Sequence, residues 1–418
     1  MSFSRNLSFA AVAFVLWSAA YNLMAPLLPL YARELGASSL QMGLVGGTAT
    51  LGAVALVLPL SLLSDRFGRR PALLLGWLAS AAGLFLMWPA RAWSSLLPGA
   101  FLSLAPVAAL PTLNALALGE LPDKQRARGF ALLYAAAPSG ALVGAAIAGL
   151  LGSGFGLRTT ILVAGCALVV AALALLPITE GQKSAKGEKP AGSARPAGSP
   201  SPGGRGQGWM MTVFGIAAGG AIMLIALPGN FIVPYLKEVS HTSLVRAGLA
   251  FAVLAAAQLG WSLLFSVWPR DEGKVRLGGG PNTLMLSRST LKALTVCLAA
   301  NSLFGLLLPA GWGGATVLAL LFRGSQFTLQ SLGSALLGDV VSPGPRLATR
   351  LTLFSAFLGL GAAGAPVVGG WLYGVDPALP FWVTGGAAAF GTVLLAGGTY
   401  WLSRTRNGSP ATVAGAGR

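Results

Sequence analysis

The sequence predicts an all-α integral membrane protein: twelve transmembrane helices arranged as two pseudo-symmetric six-helix bundles. Three observations carry that expectation. The composition is too apolar to face water, the chain holds twelve apolar stretches of spanning length, and its basic charge alternates from one side of those stretches to the other.

Of 418 residues, 55% are hydrophobic and 9% charged, against about 25% charged in a typical soluble domain. So few polar groups cannot cover a water-facing surface, so most of the surface must meet lipid. The 58 glycines fit this, because small residues let membrane helices approach closely. The net charge of +17 raises the question of nucleic acid. Its bases, however, form short clusters between apolar runs, so we read them as topology signals and expect no nucleic-acid partner. Cys166 and Cys297 lie inside apolar runs and show no metal or disulfide spacing; both thiols are expected to be buried and inert, with no metal and no cofactor.

A spanning helix needs about 20 mainly apolar residues. The spans read as 9–31, 41–63, 71–89, 95–119, 128–151, 158–177, 209–236, 245–268, 289–309, 314–338, 348–373 and 380–402. The first follows Arg5 and is too long for a cleavable signal core. With the N-terminus in the cytoplasm, 22 of the 28 basic residues fall in cytoplasmic segments and 5 outside, with Arg323 inside a span. That asymmetry obeys the positive-inside rule and places both termini in the cytoplasm.

Residues 181–208 are rich in Gly, Pro, Ser and Lys and are expected to form a flexible cytoplasmic linker. It divides an N-terminal bundle, 1–180, from a C-terminal bundle, 209–406; a disordered tail, 407–418, follows. The bundles echo each other. Arg33-Glu34-Leu35-Gly36-Ala37-Ser38-Ser39-Leu40 aligns with Lys237-Glu238-Val239-Ser240-His241-Thr242-Ser243-Leu244 at an offset of 204. Gly119-Glu120 matches Gly338-Asp339, and Gly140 and Gly149 match Gly361 and Gly370 at an offset of 221. Parallel repeats of this kind are one architecture of secondary transporters.

Between the second and third spans runs Ser61-Leu62-Leu63-Ser64-Asp65-Arg66-Phe67-Gly68-Arg69-Arg70. It resembles the signature of the major facilitator superfamily, G-x-x-x-D-R-x-G-R-R/K, with Ser61 in place of the first glycine. The resemblance extends to the whole chain through span count, linker and repeat. It implies a cytoplasmic latch between the bundles made by Asp65, Arg66, Gly68, Arg69 and Arg70. Asp65 would face the start of the eleventh span and Arg69 would pair with Glu120. The same charges also serve as a topology signal, and both roles stay open. The corresponding loop of the second half, from Trp268 to Lys274, has lost the pattern, and Gly278-Gly279-Gly280 beside it reads as linker.

An ionisable group inside a span costs about 2.5–3.5 kcal/mol on insertion scales and is a functional candidate. All eleven acids fall in loops or at helix ends. Arg323 is the exception among the bases. It opens a stripe of Arg323, Gln326, Gln330 and Ser334, spaced to share one helix face. The resemblance implies that spans one, four, seven and ten line a central cavity, which puts the stripe on the substrate path; a structural tie to neighbouring carbonyls is the alternative. Tyr21 and Asn22 before Pro26 and Pro29, and Asn230 between Pro228 and Pro234, sit where proline frees backbone carbonyls. Asn114 and Gln258 are further candidates. Glu34 and Glu238 are the acids placed for proton coupling.

The expected activity is secondary transport of a small solute by alternating access, from one bundle rocking against the other. The protein is expected to be a monomer of the plasma membrane, a bacterial inner membrane, and not an enzyme. Arg323 without an acid partner points to an anionic or polar neutral substrate. A proton-coupled multidrug or sugar-type efflux pump is the alternative within transport, with H+ as the coupling ion; a non-transporting receptor on the same fold is the other.

Overall fold

The computed structural model describes residues 5–120, 126–179, 204–267, 274–277, 284–310, 313–329 and 347–407. Ten helical stretches among them are long and apolar enough to cross a membrane. The shorter apolar helix Leu157–Leu173 and the segment beginning at Gly314 supply the remaining two of the twelve expected positions. The chain is a multi-pass membrane protein of two six-helix bundles. One element departs from the all-α expectation: an antiparallel hairpin of β1 (Lys274–Leu277) and β2 (Leu284–Ser287), with Lys274 opposite Ser287. It stands between spans eight and nine, where a plain loop was expected. The triglycine and residues 180–203 lie outside the described residues, but helix resumes at Gly204, inside the expected linker.

Eight spans run as single helices, including spans two (Ser39–Phe67), five (Arg126–Phe155), eight (Leu244–Ser266) and eleven (Leu347–Val375). Prolines 59, 138 and 366 lie inside spans two, five and eleven without breaking them. Spans one, four, seven and ten are interrupted. Span one is Arg5–Met24 and then Leu28–Glu34. Span four turns at Leu104 and Ala109, after Leu97–Ser103 and Ala105–Ala108 and before Leu110–Glu120. Span seven runs Gly204–Ala226, a 3-10 turn at Gly229–Phe231, and Ile232–Glu238. Span ten runs Gly314–Arg323, turns at Gly324 and continues over 325–329. Pro26, Pro106 and Pro228 account for three of these breaks, since proline lacks the N–H an unbroken helix would use.

Side-chain bonds to carbonyls of other spans hold the bundles together, as expected where no water competes. Ser18 Oγ donates to the Ala137 carbonyl (2.5 Å), Trp77 Nε1 to Ala13 (3.2 Å) and Ser80 Oγ to Ser103 (2.6 Å). In the second bundle Trp261 Nε1 donates to Leu321 (2.8 Å) and Thr384 Oγ1 to Leu224 (2.7 Å). Cys297 is buried as expected, but Cys166 is exposed on the side of its helix away from the bundle.

The repeat is sharper in three dimensions than in the letters, and its offset at the ends of spans one and seven is 205, not 204. Gly36 (φ 84°) and His241 (φ 52°) both take the left-handed conformation that ends these spans. Ser38 and Ser243 then cap spans two and eight, accepting from the backbone N–H of Gln41 and Arg246, each at 3.3 Å. Arg33 of the first repeat therefore corresponds to Glu238 of the second.

Candidate functional site

The four interrupted spans meet at a cavity of about 250 Å³ lying between the bundles. Spans two and eight complete its wall. Of the sequence candidates, Tyr21, Asn22, Asn230, Gln258, Arg323 and Gln326 line it. Asn114 does not; it is half-buried elsewhere on span four, and Leu104 at the break of that span lines the cavity instead. Gln330 and Ser334 lie outside the described residues. The remaining wall is largely apolar, with Leu28, Met42, Ile232, Phe251 and Leu254. Among the described residues no carboxylate lines it.

Arg323 is 2% exposed. Its Nη1 donates to the Ile225 carbonyl (2.9 Å) and to Asn301 Oδ1 (3.0 Å), and its guanidinium lies 4.9 Å from the centre of the Phe304 ring. Ile225 stands in the last turn of the helix Gly204–Ala226, where carbonyls lose their helical partners and the dipole is negative. The break in span seven thus creates an acceptor, and Arg323 of span ten fills it. Asn301 is fixed in turn: its Nδ2 donates to the Cys297 carbonyl (2.9 Å) and to Ser325 Oγ (2.8 Å). The two expectations for Arg323 converge, since it ties three spans together while lining the cavity. Sequence reasoning passed over Asn301, although a lone amide deep in span nine was the available signal. It also passed over Thr50, which lines the cavity and back-bonds to the Gly46 carbonyl (3.2 Å).

At one membrane face the bundles close on each other. Arg33 holds Glu238 through two bonds, Nε to Oε1 at 3.2 Å and Nη2 to Oε2 at 3.3 Å, and the Tyr373 hydroxyl donates to Oε2 at 3.1 Å. Beside this cluster helices pack backbone to backbone. A Cβ on Gly149 would run into the Leu244 carbonyl oxygen, and one on Gly370 into that of Ser39. Gly43 meets the Pro366 carbonyl in the same way, and Gly248 would place a Cβ 2.9 Å from the Ala145 carbonyl oxygen. These contacts obey the repeat, with Ser39 and Gly43 answering Leu244 and Gly248, and Ala145 and Gly149 answering Pro366 and Gly370. Glu34 is exposed on the same face.

The opposite face carries the signature turn. Gly68 (φ 100°) ends span two and begins span three, a conformation that favours glycine. Asp65 and Arg66 are exposed, and Arg66 lies 5.2 Å from the centre of the Phe67 ring. Arg69 and Arg70 are half-buried. The Glu120 side chain and those of the first turns of span eleven lie outside the described residues, and with them the latch partners.

Residues 10–322 match the family model of the Major Facilitator Superfamily. Multidrug resistance protein MdtG of Citrobacter koseri is 34% identical over 187 residues, 43% of this chain and 46% of that protein. Multi-drug resistance efflux pump PmrA of Streptococcus pneumoniae is 29% identical over 183 residues, 41% and 44% of the two chains. The matched part thus spans less than half the length of these relatives. Among solved structures, the nucleoside transporter NupG is similar with a TM-score of 0.66 at 14% identity, over 96% of this chain and 99% of that one. A bacterial homologue of the human lysosomal transporter Spinster, in an inward-facing and occupied conformation, reaches a TM-score of 0.62 at 15% identity, over 96% of both. At such identities the likeness speaks for the fold alone. Family model, helix order and signature turn agree: the chain belongs to the major facilitator superfamily.

Proposed function

We propose that this protein is a secondary transporter that moves a small organic solute across a bacterial plasma membrane by alternating access. The observation that carries the proposal is the cavity at the junction of four interrupted spans, between bundles that touch through glycine–carbonyl contacts at one face. Close backbone packing of this kind lets one bundle rock on the other about a fixed site. The relatives named as a multidrug resistance protein and an efflux pump favour export. In this reading the bundles are 1–180 and 209–406, joined by the cytoplasmic linker, and the protein works as a monomer. Both termini and the Asp65 turn face the cytoplasm, and the Arg33–Glu238 cluster faces outward. The signature turn latches the inner face when the outer one opens. The proposed coupling ion is H+, with Glu34 and Glu238, the two acids at the closing face, as its candidate carriers.

The test is flux in proteoliposomes, using a panel of radiolabelled organic acids, amines and neutral solutes, with and without a pH gradient. Spin labels at positions 35 and 240 are measured in parallel. The expected result is protein-dependent movement of at least one solute and two label distances whose ratio that solute changes. A single distance under all conditions, with no flux above empty liposomes, would make the protein a non-transporting member of the fold.

A further inference from the structure

Arg323 presents an unbalanced charge to the cavity. Among the described residues its partners are a carbonyl, an amide oxygen and an aromatic ring, with no carboxylate. The helix end that supplies the carbonyl balances roughly half a unit of charge. No carboxylate among the described residues lining the cavity supplies the rest. A buried cation left partly uncompensated is costly, and proteins pair such charges wherever they can. Nη1 carries both hydrogen bonds that Arg323 makes among the described residues. Its Nη2 is turned to the Gly229 side, 4.0 Å from where a Cβ on that cavity-lining glycine would stand. One edge of the guanidinium is therefore pinned, and the other lies on the side of the cavity-lining Gly229.

We infer that the occupant supplies the missing counter-ion: the site takes a compact organic monoanion whose carboxylate or equivalent group pairs with Arg323. The inference rests on the transport reading for its purpose, but on the cavity alone for its chemistry. Pinning fixes the guanidinium before the ligand arrives, so little ordering remains to oppose a charge-assisted pair. Gln326, Asn230 and Gln258 offer amide bonds around that group. Phe251, Leu254, Ile232 and Met42 form the apolar wall for the body of the molecule. The volume of about 250 Å³ is below the roughly 300–1,000 Å³ of drug-sized pockets, which favours a small solute.

Binding is tested on the purified full chain with three probes of one shape: 4-phenylbutyrate, 4-phenylbutanamide and 4-phenylbutylammonium, at equal ionic strength, by calorimetry. The carboxylate is expected to bind at least tenfold more tightly than the amide and more tightly still than the ammonium. In Gln326→Glu, which places an acid one turn from Arg323 while leaving its two bonds intact, the preference for carboxylate over amide is expected to fall below about twofold. Arg323→Gln is expected to do the same, and Arg323→Lys to keep part of the preference. Equal binding of the three probes, preference for the ammonium, no binding of any, or a preference surviving Gln326→Glu would each overturn the proposal. Carboxylate binding without flux would leave it standing and remove the transport reading; flux of amines alone would do the reverse.

Discussion

The closing face and the cavity use the same repeat in opposite ways. At the face, corresponding residues make corresponding contacts: Gly149 on Leu244 is answered by Gly370 on Ser39, and Gly248 on Ala145 by Gly43 on Pro366. In the cavity, corresponding positions line the wall with different chemistry. Ala25, Gly46 and Ala49 of the first bundle stand 205 positions before Asn230, Phe251 and Leu254 of the second, and all six line it. Spans four and ten turn at Leu104 and Gly324, and beside those turns the cavity is met by Leu104 in one bundle and by Arg323 in the other. Closing two bundles constrains backbone shape, and both must satisfy it. Recognising a solute constrains side chains, and corresponding positions of the two bundles are free to differ in them.

The comparison breaks most severely at the glycines. Gly149→Leu and Gly370→Leu should each reduce flux more than tenfold and lengthen the distance between labels at 35 and 240. A side chain there must displace a helix backbone, which costs about 1–3 kcal/mol or more. Because the contacts correspond, the two variants should agree within about threefold; one strong and one silent would show that the face is not symmetric in function. The cavity should give the contrary result. Arg323→Leu is expected to lower thermal stability, since the Ile225 carbonyl and Asn301 lose a buried donor at about 1–3 kcal/mol apiece, and to abolish flux. Leu104→Ala should leave flux within about threefold, and equal losses would sink the claim that corresponding positions of the wall differ in role.

A smaller effect is expected at Arg33 and Glu238, whose side chains are 41% and 28% exposed. Pairs this exposed contribute about 0.2–1 kcal/mol. Arg33→Glu or Glu238→Arg should therefore shift the label-distance populations about two- to fivefold toward separation, and the double exchange should restore them. Failure of the double exchange would mean that Tyr373, not the ion pair, sets the geometry. Gly154→Ala serves as the floor: a Cβ there meets nothing within 4 Å, so flux and melting temperature should match those of the parent.

Much of this was legible beforehand. Length and hydropathy located the spans, and Pro26 and Pro228 marked two of the breaks that shape the cavity. The glycine pairs at an offset of 221 were visible, although their partners on spans two and eight were not, because letters carry no distances. The repeat offset differs by one residue from the one that charge matching gives, for a physical reason. Matching charge to charge set Arg33 beside Lys237, whereas the chain aligns by its turn, and His241 takes the conformation Gly36 takes without looking like it. Pro29 and Pro234, both entering the second segments of broken spans, already held the spacing of 205. Asn114 is not among the residues lining the cavity, because an amide within a cavity-lining span need not point inward.

The pairing of Arg33 with Glu238 has one more consequence. Both occupy a single equivalent place, next to the axis that relates the bundles. In a dimer of two identical halves, that place would confront its own twin, and any charge there would meet a like charge. An attraction at this point requires that the two copies differ in sequence. A split protein rebuilt from two first bundles would therefore repel itself where the present one holds shut.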